Sequence, residues 1–299
     1  MGLMKRWYRK FDLDVPVEEV KAAVAKTTDP EKYAKGGPLV GPYTPEDSND
    51  LTGKVLTFRG EAGVFVFNFK EINKVGFKDG EQEEADCYAQ VKTMDGEVYL
   101  VNFLVPGYEF ARQITLIADM KSGCGTIVDA HFGTENSPID VDRDFYFGRF
   151  DGDFAGGELH DFTNELIGTA IEWDYGPQIR MKIRHMYTSN LYYTYGAAAP
   201  NGAWMATNPA NYVKIRDDIF LFTFVEERQA GLQGLFLIDL KNLHDRPYVQ
   251  FLLRRDRHKG RHYDDLLKKN RADKTGGIKM IPPLNKPMIC CRLNVLPKA

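Results

Sequence analysis

The chain has 299 residues, 43% of them apolar and 27% charged, with a net charge of −3. That length buries a sizeable core as one large domain or two ordinary ones, and the near-balance of charge argues against nucleic acid as the main partner. No apolar run approaches the roughly 18–20 residues needed to cross a bilayer, and the basic N-terminus MGLMKRWYRKFDLD lacks the apolar stretch of a secretory signal.

Four cysteines (Cys87, Cys124, Cys290, Cys291) make neither a disulfide framework nor a zinc pattern. The adjacent Cys290 and Cys291 suit two reduced thiols better than a strained bridge, so a cytoplasmic setting is expected. Aromatics reach 12%, with 15 Tyr and 19 Phe. That fits barrel cores, and it also fits a pocket for a flat ligand.

In chain order, residues 1–48 form a lead. PVEEVKAAVAK predicts a short helix with Pro16 at its first position and Glu18 and Glu19 in its first turn. A Gly-, Pro- and Asp-rich loop follows. From Leu51 the strands begin: LTGKVLTFRG, GVFVFNFK, ADCYAQVKTM, EVYLVNFLV, RQITLIADM and GTIVDAHFG. Most alternate with period two, and turn signals recur every eight to twelve residues, which predicts an all-β barrel or sandwich. This first unit is placed at 49–136. Residues 137–162, mixing Asp and Gly with Phe, read as a connector. The alternating Asp140, Asp142 and Asp144 do not make a calcium loop, because Phe145 stands where the sixth-position glycine is needed.

A second unit, 163–250, is a meander of short antiparallel strands, read as a small closed barrel whose mouth is a pocket. It copies the first. LTGKVLTFRGEAGVFVFNFK lies over LIGTAIEWDYGPQIRMKIRH at an offset of 115, with Leu51 on Leu166 and Gly53 on Gly168. Farther on, EVYLVNFLV lies over DIFLFTFVE at an offset of 121. Two tandem antiparallel barrels are therefore expected. Residues 251–299 read as an irregular basic tail. His258 and His262 stand four apart, but Arg255, Arg257, Lys259 and Arg261 around them would repel a cation, so no metal site is expected.

No nucleophile elbow, P-loop or dinucleotide fingerprint occurs. The candidates for chemistry are groups on the second barrel's strands. In LFLFTFVEERQAG the alternation puts Phe222, Phe224 and Glu226 on one face and Leu221, Thr223 and Val225 on the other. Either face can point inward. A carboxylate in register with two phenylalanines is costly without a partner or a task, and burial would raise its pKa toward that of a useful acid or base. Equally, Glu226 can simply end a strand in water. Trp173 and Tyr175 share one face of AIEWDYG, Tyr193 and Tyr195 one face of NLYYTYG, and Trp204 lies on GAWMAT. Such side chains offer an apolar body and a polar tip to a phenolic ligand, although plain core aromatics would look the same. His185 alternates with Ile183 and reads as a satisfied strand histidine lining the same interior.

The segment 166–226 resembles the phenolic acid decarboxylases, small cofactor-free lipocalin-like barrels. Still more it resembles the two-domain MoaF family, named after molybdenum cofactor biosynthesis protein F. The resemblance rests on LIGTAIEWDY, on the Tyr193–Trp204 stretch, on ANYVKIRDDIFLFTFVEE and on GLFLIDLK, and it covers about residues 49–245. It implies two tandem lipocalin-like (calycin) barrels. Against the decarboxylase pattern Glu226 falls on the catalytic glutamate and Tyr175 on the second tyrosine of a substrate-anchoring Tyr-x-Tyr pair, whose first tyrosine is Trp173 here. The catalytic arginine is replaced by Ala203, so the bidentate grip on a substrate carboxylate is missing. In the first repeat the Glu226 position is Val105, which makes that barrel structural or a binder of something different.

These implications lead to a cofactor-independent lyase acting on a phenolic compound, by decarboxylation or by loss of formaldehyde or a proton through a quinone-methide-like state. Glu226 would shuttle the proton, with Tyr175 as its catalytic neighbour and Trp173, Tyr193, Tyr195, Trp204, His185 and Phe224 around the substrate. No cofactor and no metal are expected. The expected partners are a small phenolic ligand and at most a second copy of the chain, with neither nucleic acid nor membrane. The other readings are a non-catalytic carrier of lipocalin type and a cofactor-free isomerase or cyclase.

Overall fold

The computed structural model describes residues 48–71, 74–79, 85–93, 95–105, 111–132, 141–174, 182–199, 202–225, 232–242, 244–251, 254–255, 278–279 and 292–296. The helix expected at Pro16–Lys26 and the pair His258 and His262 lie outside them. Among the described residues the chain is all-β, as alternation with turn punctuation predicts.

Eight strands close the first barrel: β1 (Val55–Gly60), β2 (Gly63–Glu71), β3 (Lys74–Lys78), β4 (Ala85–Lys92), β5 (Val98–Val105), β6 (Ala111–Asp119), β7 (Cys124–Phe132) and β8 (Val141–Phe150). Each pairs antiparallel with the next, and β8 returns to β1 through Phe58↔Phe150, Arg59↔Arg149 and Gly60↔Gly148. The second sheet is built from β10 (Ala170–Asp174), β11 (Lys182–Tyr187), β12 (Tyr192–Ala199), β13 (Gly202–Arg216), β14 (Ile219–Val225), β15 (Leu232–Asp239), β16 (His244–Phe251) and β19 (Arg292–Leu296), with the short β9 (Asp161–Phe162) on the far side of β13. β12 also pairs with β13, so this ladder too returns on itself. Two further short strands, β17 (Arg254–Arg255) and β18 (Ile278–Lys279), pair with each other.

The repeat is visible at the level of single hydrogen bonds. Gly53 and Gly168 both adopt φ of 82°, a left-handed conformation in which other residues are strained. Each glycine donates its N–H across the turn, Gly53 to Phe69 O at 2.7 Å and Gly168 to Tyr187 O at 2.9 Å. The bonds Lys54 N–H to Leu51 O and Thr169 N–H to Leu166 O repeat the turn, and Leu51 and Leu166 are both buried beneath it. A local pattern of residues thus builds the same corner twice.

Two strands come from stretches that the sequence reading left outside the barrels. Val141–Phe150, within the expected connector, is β8. Arg292–Leu296, within the expected tail, is β19, which pairs β10 from Asp174↔Arg292 to Ala170↔Leu296 and touches β16 at His244↔Arg292. For β8 the reason is that both faces are covered. Tyr146 and Phe150 pack on the first barrel's core, whereas Phe145 and Phe147 pack on the opposite side against a cluster shared by the two barrels. Aromatics on both faces erase the alternation that marks a half-buried strand.

That shared cluster joins Val98, Leu100, Ile117 and Val128 of the first barrel to Val213, Ile215, Ile219, Leu221, Leu235 and Leu237 of the second. The barrels therefore pack wall to wall through outward-facing apolar residues. At one rim Arg216 forms ion pairs with Asp95 and Glu97 across the junction.

Candidate functional site

The two barrel interiors differ in chemistry. The first is filled with Phe58, Phe67, Phe69, Phe77 and Phe103 together with aliphatic residues, and Val105 lies there 2% exposed. Its charged groups gather around Arg112, which pairs with Asp129 through Nε–Oδ1 at 2.9 Å and Nη2–Oδ2 at 2.6 Å and with Asp79 at 2.5 Å. His131 joins Asp129 at 3.3 Å, and this hydrogen bond raises the imidazole pKa.

The second interior is built from polar aromatics. Residues of alternating strand positions converge: Trp173 from β10, His185 and Tyr187 from β11, Tyr193 and Tyr195 from β12, Tyr212 from β13, Phe222 and Phe224 from β14, and Phe236 from β15. The registers Tyr187↔Tyr193, His185↔Tyr195, Tyr212↔Phe222 and Phe222↔Phe236 bring them level. The inward face of β14 is therefore Phe220, Phe222 and Phe224, whereas Leu221 and Thr223 face the first barrel.

His185 is the hub. Its ring lies 4.7 Å from Trp173, 5.0 Å from Tyr193, 5.5 Å from Phe222 and 5.6 Å from Phe236, centroid to centroid. It is 4% exposed, and burial pulls its pKa down to about 3, so the ring is neutral at physiological pH. Its Nδ1 is buried without a hydrogen-bond partner, and so is Nε1 of Trp173, which is 1% exposed. The expectation of a satisfied strand histidine thus meets a histidine with one ring nitrogen unsatisfied. An orphaned buried polar atom costs about 1–3 kcal/mol. Here two such atoms lie on touching rings, one a fixed N–H donor and the other an acceptor or donor according to tautomer.

Two other polar tips in the cluster are held. Asn208 donates to the Tyr193 hydroxyl at 3.4 Å, and the Tyr212 hydroxyl donates to the Tyr192 carbonyl at 3.0 Å. Burial raises the Tyr212 pKa, which keeps that hydroxyl a donor.

Of the residues singled out in the sequence, Trp173, His185, Tyr193, Tyr195 and Phe224 meet in this cluster. Trp204 is placed through its backbone only, opposite Ala197 on the β12–β13 ladder. Glu226 and Tyr175 lie outside the described residues. Tyr187, Tyr212 and Phe236 were not anticipated. Tyr187 had a signal, since it continues the Ile183–His185 alternation, but the other two reach the cluster only through sheet closure. Among the described residues no group of His, Cys, Asp or Glu is arranged to hold a metal ion, and no helix is long and apolar enough to cross a membrane.

No curated protein matched the chain. Family comparison is informative: residues 32–134 match the MoaF N-terminal domain, and residues 160–261 match the MoaF C-terminal domain. Each match stops short of the strand that closes its barrel, β8 in one case and β19 in the other. With two domains matched in order over more than half its length, this chain belongs to the MoaF family.

Proposed function

We propose that the second barrel is the active site of a cofactor-independent lyase acting on a phenolic compound. The observation that carries this reading is the pair of buried, unpartnered polar atoms, Trp173 Nε1 and His185 Nδ1, within a cage of aromatic rings. A phenol hydroxyl complements both: it accepts from the indole N–H and donates to the neutral imidazole, while its ring stacks among Tyr193, Phe222 and Phe224. The lining supports a ligand whose buried part is uncharged, since no cation belongs to the cluster of described residues and Ala203 replaces the arginine of the decarboxylase pattern.

Glu226 is the proposed proton shuttle, because Phe220, Phe222 and Phe224 occupy the inward face and the next residue in that alternation is Glu226. In a para-alkenyl phenol it would deliver a proton to the side-chain carbon while the phenol proton leaves, which forms a quinone methide. Breaking the bond to the departing carbon returns the electron pair to the ring system, and the phenol oxygen regains its proton. A departing hydroxymethyl group also gives its O–H proton back to the Glu226 carboxylate, whereas a carboxylate leaves without one and Glu226 takes a proton from solvent. Carbon dioxide and formaldehyde are the respective leaving groups. Positioning and exclusion of water supply the catalysis. A small phenolic ligand is the proposed partner and the cytoplasm the proposed setting. Cys124, a buried free thiol, fits that setting.

The test is a mass-spectrometric screen of purified protein against para-hydroxy aromatics bearing carboxyl, hydroxymethyl or alkenyl side chains, with wild type and Glu226→Gln side by side and no added cofactor. Product from wild type alone is expected, and its mass names the leaving group. Ligand retained unchanged by both proteins would overturn the lyase and leave a carrier.

A further inference from the structure

The junction between the barrels holds a second unsatisfied polar group of atoms, distinct from the aromatic cage. Arg143 on β8 reaches across it and donates from Nη1 to Thr223 Oγ1 at 2.8 Å and from Nη2 to Asn211 Oδ1 at 2.9 Å. Both acceptors are neutral, and among the described residues no carboxylate pairs with this guanidinium, in contrast to Arg216 at the rim and Arg112 in the first barrel. An arginine has five N–H donors in a planar fork suited to oxyanions, so these two bonds leave several donors available.

Two buried glutamines lie on the same two walls that face the junction. Gln113 lies in one row with Ala130 and Arg143 across β6, β7 and β8. Its Nε2 donates to Asn102 at 2.6 Å, and its Oε1 has no partner. Gln233 pairs Val225, two rungs along the ladder from Thr223, on the face that Leu235 and Leu237 turn toward the first barrel. It is fully buried, and neither atom of its amide has a partner. Leaving such groups unpaired is costly in a packed interface. Together the junction offers a cationic fork and an amide donor beside unpaired amide oxygens. A chloride ion could use only the donors. A small oxyanion that also carries an O–H uses both.

We propose that the junction around Arg143, Gln233 and Gln113 is a binding site for a small hydrogen-bearing oxyanion of the hydrogenphosphate or bicarbonate kind. Arg143 and the Gln233 amide nitrogen hold the anionic oxygens, and the ligand O–H is donated to a glutamine oxygen. Seated there, the anion ties the wall of one barrel to the wall of the other. This site stands apart from the chemistry proposed for the second barrel.

Equilibrium dialysis of the full chain against labelled inorganic phosphate, and separately against labelled bicarbonate, with chloride setting a constant ionic strength, tests this and separates the two sources. Saturable uptake of one of them at one equivalent per chain is expected. Arg143→Met and Gln233→Leu should each weaken it by about tenfold or more, the loss of one charge-assisted or otherwise unmatched hydrogen bond. If Arg143→Met fails to fold by circular dichroism, Gln233→Leu decides, because it keeps the arginine and its bonds across the junction. No saturable uptake of either anion by wild type, or uptake untouched by Gln233→Leu, would overturn the site.

Discussion

Replacing His185 by leucine tests the central feature of the second barrel through the pH dependence of stability. In the folded chain the imidazole stays neutral down to about 3 because burial opposes its charge, whereas in the unfolded chain it titrates near the usual 6.5. Below 6.5 the unfolded state therefore binds more protons, and stability falls with pH. The contribution is fully present above 6.5 and is lost progressively as pH drops toward 3. Between about pH 8 and about pH 5 the loss from this one group is about 2 kcal/mol. His185→Leu removes the titrating group, so its stability should fall by about 2 kcal/mol less over the same interval. His160, pulled down to about 4 chiefly by burial, has the same sign, and His131, raised by Asp129, has the opposite one. Both act equally in the two proteins and cancel in the difference. At pH 8 the substitution relieves an unpaired Nδ1, a gain of about 1–3 kcal/mol, and forfeits ring contacts with Trp173, Tyr193 and Phe222 that are worth about 0.5–1.5 kcal/mol each. These two effects oppose each other and do not vary with pH, so the test reads the change in slope rather than the absolute change. Urea unfolding at a series of pH values, followed by circular dichroism, measures it. Equal slopes in wild type and variant would mean that His185 is solvated or partnered in solution, and the argument from its orphaned nitrogen would fall.

Four further outcomes follow from the same packing. Gly234→Ala places a methyl carbon 2.3 Å from Phe224 Cε1, so the Phe224 ring must shift, at about 1–3 kcal/mol by urea unfolding. Gly196→Ala, whose new carbon meets Met205 Cγ at 3.8 Å, is a control that should escape this clash. Arg112→Gln strands Asp79 and Asp129 at the first barrel and should cost about 3–5 kcal/mol near neutral pH by urea unfolding. That deficit shrinks in acid as Asp129, which against burial His131 and Arg112 hold low in the wild type, protonates. Leu221→Ala, at a fully buried position between the barrels, should cost about 2–5 kcal/mol. Because the barrels share that cluster, thermal unfolding of the wild type should be one transition, and two well-separated transitions would contradict the packing.

The sequence by itself carried the repeat and the strand class, because both depend on local rules. A left-handed glycine after a buried leucine builds the same corner at Gly53 and Gly168, and period-two alternation marks a strand wherever one face is wet. It also carried five members of the aromatic cluster, since Trp173, His185, Tyr193, Tyr195 and Phe224 occupy alternating positions on recognisable strands. Tertiary structure decided the rest. β8 and β19 escaped notice because a strand's role in closing a barrel depends on distant partners, and because the cover on both faces of β8 removes its alternation. Tyr212 and Phe236 enter the cluster only when β13 and β15 curl around β14. Above all, Phe220–Phe222–Phe224 and Leu221–Val225 are both apolar faces of one strand. Which of them points inward was open in the sequence, and the structure turns the phenylalanines in because the other face is buried against the first barrel.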